Sequence, residues 1–224
     1  RMSRGLGDVY KRQVQRTAAM SAVKGFTKGY LIVCTYPEAL AERVADAETL
    51  RRDTIAVKVG DSISIAVLED ALVDANFTRV DFVYEPGQYS VRGGIVDVFS
   101  FSESKPYRID FFGDEVDSIR RFNISSQLSA DKLDRVEIIP NLNAGDGAAK
   151  VSFVQFAGDA AAYWFYDADY VLRRVNDIRR KTLADMERPE EIDRLMTSRN
   201  ALLGDLANLS LIHISEPTRH AQIS

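Results

Sequence analysis

Apolar and polar residues alternate most regularly between residues 84 and 122, at the two-residue period of a strand. In residues 105–113 the alternation puts Tyr107, Ile109 and Phe111 on one face, which reads as core. Arg108, Asp110 and Phe112 fall on the other face, which is expected to be wet. Phe112 is out of place there, a large aromatic beside an arginine. Single exposed aromatics are ordinary, but an exposed aromatic flanked by Arg also has the composition of a protein–protein hot spot. Turn residues divide the stretch. Pro86-Gly87 turns the chain, Gly93-Gly94 breaks or bulges it before residues 95–99, and residues 102–106 form a polar loop. Gly113-Asp114 is a two-residue hairpin signal. The reading is three or four short antiparallel strands, with Arg92 able to share the face of Arg108.

Elsewhere the periodicity changes. Residues 15–28 suit a helix with Ala18, Ala22 and Phe26 on a small-residue face. Residues 30–35 are a short, wholly apolar strand. Residues 37–47 open with Pro and Glu, a helix start. Residues 54–59 alternate as a strand, and Gly60-Asp61 turns the chain. Residues 64–75 place Ile65, Leu68, Leu72 and Ala75 on one helical stripe. Asp61, Ser62 or Ser64 suits the cap, and Asn76 suits the left-handed position after the helix. Residues 79–84 and 135–139 read as further strands. Residues 48–141 thus form an α+β domain, a mostly antiparallel sheet of about five or six strands with one or two helices.

Residues 141–149 form a Gly- and Asn-rich linker, followed by an apolar strand over 161–166. Asp167 and Asp169, one residue apart, suit either Mg²⁺ ligation or, the commoner use, capping of the next helix. That helix spans 170–186, with Leu172, Val175, Ile178 and Leu183 as its apolar positions. Pro189 opens a second helix that runs to Leu206. The basic residues between Arg173 and Lys181 read first as a solvated helix face, with nucleic-acid contact as the rarer use.

Composition narrows the function. The chain has 224 residues, 46% hydrophobic and 28% charged, the make-up of an ordinary soluble protein. A net charge of −4 argues against broad, sequence-independent DNA binding. Residues 84–122 do not reverse that, with five basic residues against seven acidic. The single Cys34, in an apolar run, is expected in a core. It allows no disulfide framework and fits a reducing cytoplasm. No apolar run has the roughly twenty residues of a membrane span. There is no G-x-x-x-x-G-K-[ST] phosphate loop, no Cys/His cluster and no G-x-S-x-G elbow.

The run PGQYSVRGGIVDVFS…KPYRIDFFGDEVDSIRRF resembles the segment that bacterial transcription-repair coupling factors share with the excinuclease subunit UvrB. It resembles the coupling factors more, through the PYR-DFF and DEVDS-R-F runs, and the resemblance extends more weakly over residues 14–208. It implies a small domain that docks onto the excinuclease subunit UvrA. The contact residues it implies are Arg92 (the VRG position), Arg108 (in PYR) and Phe112 (the second Phe of DFF). The same three positions stand apart by strand parity. They are expected to be exposed, so that truncating any of them costs less than about 1 kcal/mol of stability; the alternative is that Arg108 pairs with Asp110 or Asp97 and Phe112 packs under a neighbouring element.

The resemblance also implies that residues 14–47 and 142–208 are remnants of a degenerate helicase-like domain flanking the docking domain, with FYDAD at the place of the ATPase acidic motif. ATP and Mg²⁺ are implied for the motor of full-length family members, together with RNA polymerase and double-stranded DNA as partners. In this stretch no cofactor, metal or catalytic residue is expected. Residues 1–13 and 209–224 match no part of the family. Both resemble translated adapter read-through, and they are expected to be unpacked and dispensable. The only histidines, His213 and His220, lie there, so the body of the chain offers none for acid–base or zinc chemistry. Two readings stay open: a non-catalytic docking module of a coupling factor, and a fragment of UvrB or a related helicase that contributes DNA contacts.

Overall fold

The computed structural model describes residues 3–142, 149–159 and 161–208, with the backbone alone over 3–13. In chain order its elements begin with α1 (Ser3–Gly25), α2 (Pro37–Ala41), β1 (Val44–Ala45), α3 (Ala47–Asp53), β2 (Ile55–Lys58) and α4 (Ile65–Asp74). Six strands follow: β3 (Thr78–Arg79), β4 (Gln88–Arg92), β5 (Ile95–Val98), β6 (Tyr107–Phe112), β7 (Glu115–Phe122) and β8 (Ser129–Leu133). After β9 (Arg135–Ile138) and β10 (Lys150–Val151) come α5 (Phe153–Ala157), α6 (Ala168–Asp185), α7 (Ile192–Leu195) and α8 (Arg199–Ala207). The class is α+β, and the chain divides into two compact units, Arg1–Gly29 with Glu48–Asp146 and Tyr30–Ala47 with Gly147–Ser224.

The first unit is built on a six-stranded sheet in the order β3-β4-β5-β6-β7-β8, antiparallel except for the β3–β4 pair. Two-residue turns at Gly93-Gly94 and Gly113-Asp114 join β4 to β5 and β6 to β7. Gly93 and Gly113 sit at φ 59° and 63°, a conformation that such hairpin turns require and that most side chains resist. The Gly93-Gly94 signal is therefore a hairpin rather than a bulge. Its fixed length sets the β4–β5 register, pairing Ser90 with Asp97; β5 and β6, joined by the longer loop of residues 99–106, pair Asp97 with Arg108.

β6 keeps its alternation. Tyr107 and Ile109 are buried and Phe111 packs against the same core. On β7 the core residues Val116 and Ile119 are three apart, not two. The register shift opposite Asp110 and Phe111 absorbs the extra residue, Asp117, as a bulge. Helix α4 lies on this core through Leu68 and Leu72, both fully buried. Its start is fixed by Ser64, whose Oγ accepts from the Val67 amide, and its end by Asn76 in the left-handed region at φ 60°.

Several elements differ from the sequence reading. Residues 135–138 join not the large sheet but a separate antiparallel pair with β2, which closes the same core through Val57, Val136 and Ile138. The sixth strand of the sheet is β8, whose residues are almost all exposed and carry no alternation to reveal it. The strand expected over 79–84 shrinks to Thr78–Arg79.

In the second unit, α6 packs against α2 and α8 around Val175 and Leu202. Asp167 caps α6 by accepting from the Tyr170 amide at 2.8 Å, the commoner of the two uses considered for it. The helix expected from Pro189 onward breaks into a 3₁₀ turn (Pro189–Glu191), α7 and α8. The apolar runs at 30–35 and 161–166 form no strand, because neither finds a hydrogen-bonded neighbour among the described residues. Cys34, expected in a core, is exposed.

The backbone over 3–13 is helical, as the first part of α1; the side chains on which the expectation of an unpacked segment turns lie outside those described. Residues 209–224 and most of the 141–149 linker lie outside the described residues.

Ile109 is 0% exposed at the centre of the core face. Ile109→Ala should cost about 2–5 kcal/mol of unfolding free energy, lost contacts plus a cavity. Urea denaturation followed by far-UV circular dichroism measures it, and a loss below about 1 kcal/mol would mean that this face is not the core.

Candidate functional site

The second face of the sheet carries the charge. Strand parity places Ser90 and Arg92 of β4, Asp97 of β5, Arg108, Asp110 and Phe112 of β6, and Ser118 and Arg120 of β7 on the side away from the α4 core. Asp97 is only 1% exposed. A buried carboxylate is costly unless its oxygens are met by donors, and here they are. Arg108 donates through Nε to Oδ1 at 2.7 Å and through Nη2 to Oδ2 at 2.8 Å, a two-pronged fork. Arg92 donates through Nη2 to the same Oδ2 at 2.5 Å. The Arg108 contact joins direct cross-strand partners. The Arg92 contact is diagonal, within reach of a long side chain.

Aromatic rings hold both guanidinium groups from the other side. Arg108 lies 4.4 Å over the centroid of Phe122, and Arg92 lies 4.9 Å over that of Phe82. Phe122 is itself buried in a small cluster with Val83 and Phe99, so this face carries a second, minor core. Arg92 Nη1 also donates to the Asp81 carbonyl, and Arg108 Nη1 to the Gln127 carbonyl. Gln127, at φ 58°, belongs to the turn between β7 and β8. The Asp97 bonds outweigh burial and hold the Arg108 guanidinium above its ordinary pKa, firmly charged.

Arg120, directly opposite Arg108, would repel it. It is neutralised by Asp110, which also accepts from Ser118 Oγ at 2.7 Å. Three arginines (92, 108 and 120) against two aspartates (97 and 110) leave this network one net positive charge.

The three residues singled out in the sequence fare differently. Phe112 is 83% exposed, next to the Gly113-Asp114 turn, on the face expected for it. The Arg92 side chain is 37% exposed. The Arg108 side chain is only 15% exposed, so the expectation of an exposed arginine is corrected and the alternative of a pair with Asp97 holds. Its donors are committed to Asp97 and to the Gln127 turn. Of the two partners the sequence offered Arg108, Asp110 and Asp97, the structure gives Asp97; what sequence reasoning missed is that Asp97 also takes Arg92. Its signal was a lone carboxylate inside the apolar run IVDVF, at the parity opposite Val96 and Val98.

Among the described residues no group of three or more His, Cys, Asp or Glu side chains is placed to hold a metal ion. No helix among them is long and apolar enough to cross a membrane.

A family model described as the UvrB interaction domain matches residues 55–143, the stretch that holds this face. The transcription-repair-coupling factor of Escherichia coli (strain K12) is 32% identical over 125 residues, and that of Bacillus subtilis (strain 168) is 32% identical over 126. The Haemophilus influenzae protein of the same name is 30% identical over 125. Each match takes in 56% of this chain and 11% of the relative, so the chain spans a small part of the curated relatives it matches. The resemblance to the coupling factors read from the sequence is thus shown by direct comparison.

Arg108→Ala leaves a buried carboxylate with one partner, and it should cost about 3 kcal/mol or more of stability. Phe112→Ala removes an exposed ring and should stay within about 0.5 kcal/mol. Chemical denaturation of both variants reads the difference. Equal, small effects would mean that the Asp97 pairing does not support the fold.

Proposed function

We propose that this chain is a non-catalytic docking module of a transcription-repair coupling factor and that its partner is UvrA, recruited through the second face of the sheet. The observation that carries the reading is Phe112, a large ring left in water beside a hairpin turn on the same face as two guanidinium groups held in fixed orientation. An exposed aromatic with pre-oriented arginines is the composition from which interface hot spots are made. Rigid presentation lowers the ordering cost of association. The match of residues 55–143 to the UvrB interaction domain supports the same partner class. The names of the similar proteins support a role in coupling transcription to repair.

In this reading Phe112 supplies apolar area to a pocket on UvrA, and Arg92, the more open guanidinium, supplies planar donors to carboxylate or carbonyl acceptors there. Arg108 supports the face through Asp97 and the Gln127 turn, with its outer edge as a rim contact. The face performs no reaction, and the chain needs no cofactor. In the longer protein, recruitment takes place in the cytoplasm at DNA lesions where RNA polymerase has stalled. There the polymerase, double-stranded DNA and ATP with Mg²⁺ engage other parts of the chain.

Arg92→Ala and Phe112→Ala should each weaken binding to purified UvrA by roughly 2 kcal/mol, near 30-fold, with unchanged far-UV circular dichroism. Isothermal titration calorimetry with the 224-residue chain measures it. Native affinity in the Arg92/Phe112 double variant would contradict the reading. The chain alone should also release no phosphate from ATP, with or without DNA, and turnover above buffer would show an activity that the docking reading excludes.

A further inference from the structure

We infer that Asp97 is a positioning residue for this face, a single buried carboxylate that makes Arg92 and Arg108 one coupled unit. The inference rests on the docking reading for its consequence in binding, but the coupling stands on geometry. Asp97 lies on β5 between Val96 and Val98, both fully buried against the opposite core. It takes three guanidinium donors from two different strands. Were cohesion of the strands its only use, an apolar residue of similar size would serve at least as well, because burying a charge carries a desolvation cost that a hydrocarbon avoids. A carboxylate does what a hydrocarbon cannot: it fixes the direction of a guanidinium that remains in contact with water.

Arg92 is that guanidinium. One Nη is tied to Asp97, the other donates to the Asp81 carbonyl, and the plane lies over Phe82, itself half-exposed. A free arginine side chain loses rotamer freedom when a partner captures it. Here that freedom is removed before any partner arrives. Arg108 takes the greater share of the carboxylate and is bound from beneath by Phe122 and from the side by the Gln127 turn. Its removal would release Asp97 to rotate toward Arg92, and the removal of Arg92 would leave Arg108 as sole partner. Each arginine therefore senses the loss of the other through one shared group.

Two measurements on the 224-residue chain test this. The first is a set of cycles with purified UvrA as the probe, combining Asp97→Asn, Arg92→Ala and Phe112→Ala. Asp97→Asn should weaken binding by about 10-fold, and Arg92→Ala, near 30-fold in the native background, should cost only about 3-fold further in that one. Phe112→Ala should cost the same factor with and without Asp97→Asn, whereas general loosening of the fold would change all three. Costs of Asp97→Asn and Arg92→Ala that multiply in full would overturn the proposal.

The second measurement needs no partner. The Arg108 Nε–H resonance of the free protein should be sharp and slow to exchange, and it should move on Arg92→Ala and stay in place on Phe112→Ala. An Arg108 signal indifferent to Arg92→Ala would overturn the coupling, even where Asp97→Asn does not fold. If neither Arg92 nor Phe112 affects UvrA binding in the native background, the docking reading fails. The resonances then still decide whether Asp97 couples the two arginines.

Discussion

A carboxylate buried in the middle of a strand has to be answered by cations, and in this protein the answer organises a whole face. Asp97 draws Arg108 from one neighbouring strand and Arg92 from the other. Once both are held, Arg120 stands opposite Arg108 and needs its own counter-ion, which Asp110 supplies. The rings of Phe122 and Phe82 then lie against the two flat guanidinium surfaces. A sheet that would otherwise have one core side and one wet side instead has two ordered sides. The first is apolar and covered by α4; the second is ionic and underlain by a small cluster of Val83, Phe99 and Phe122.

This arrangement depends on register, because a slip of one residue exchanges the two faces. Two short hairpins with glycines in left-handed turns pin it, and the Asp117 bulge restores parity on β7 after the second turn. Phe112, the last residue of β6, inherits its direction from the same register. Its exposure is thus a consequence of how Tyr107 and Ile109 are buried, not an independent feature. The docking candidate and the hydrophobic core are two readings of one strand.

Much of this was legible in the sequence where the signal is local. The Ser64 cap, the left-handed Asn76, the Gly113-Asp114 hairpin and the faces of β6 all follow from residue chemistry within a few positions. What was not legible depends on distant partners. Residues 30–35 and 161–166 have the composition of buried strands, but composition cannot supply a neighbour to pair with. The pairing of residues 135–138 with β2 joins segments far apart in the chain, and no local pattern encodes it. The polar strand β8 has no apolar face to announce it. Asp97 was visible as a residue but not as a hub, because its role appears only when the hairpin registers bring Arg92 and Arg108 to it from both sides. The sequence left Arg108 either exposed or paired with Asp110 or Asp97, and the register decides for Asp97 by placing it directly opposite.

The central claim is that the ionic face, and not the helix-covered one, meets the partner. Hydrogen–deuterium exchange of the 224-residue chain with and without saturating purified UvrA tests it most directly. The account predicts that UvrA slows exchange in the Gly93-Gly94 and Gly113-Asp114 turns, in the adjoining ends of β4 and β6, and in the turn that carries Gln127, while α4 exchanges as in the free protein. Slowed exchange confined to α4 or to the helices of the second unit, with both hairpin turns unaffected, would contradict it.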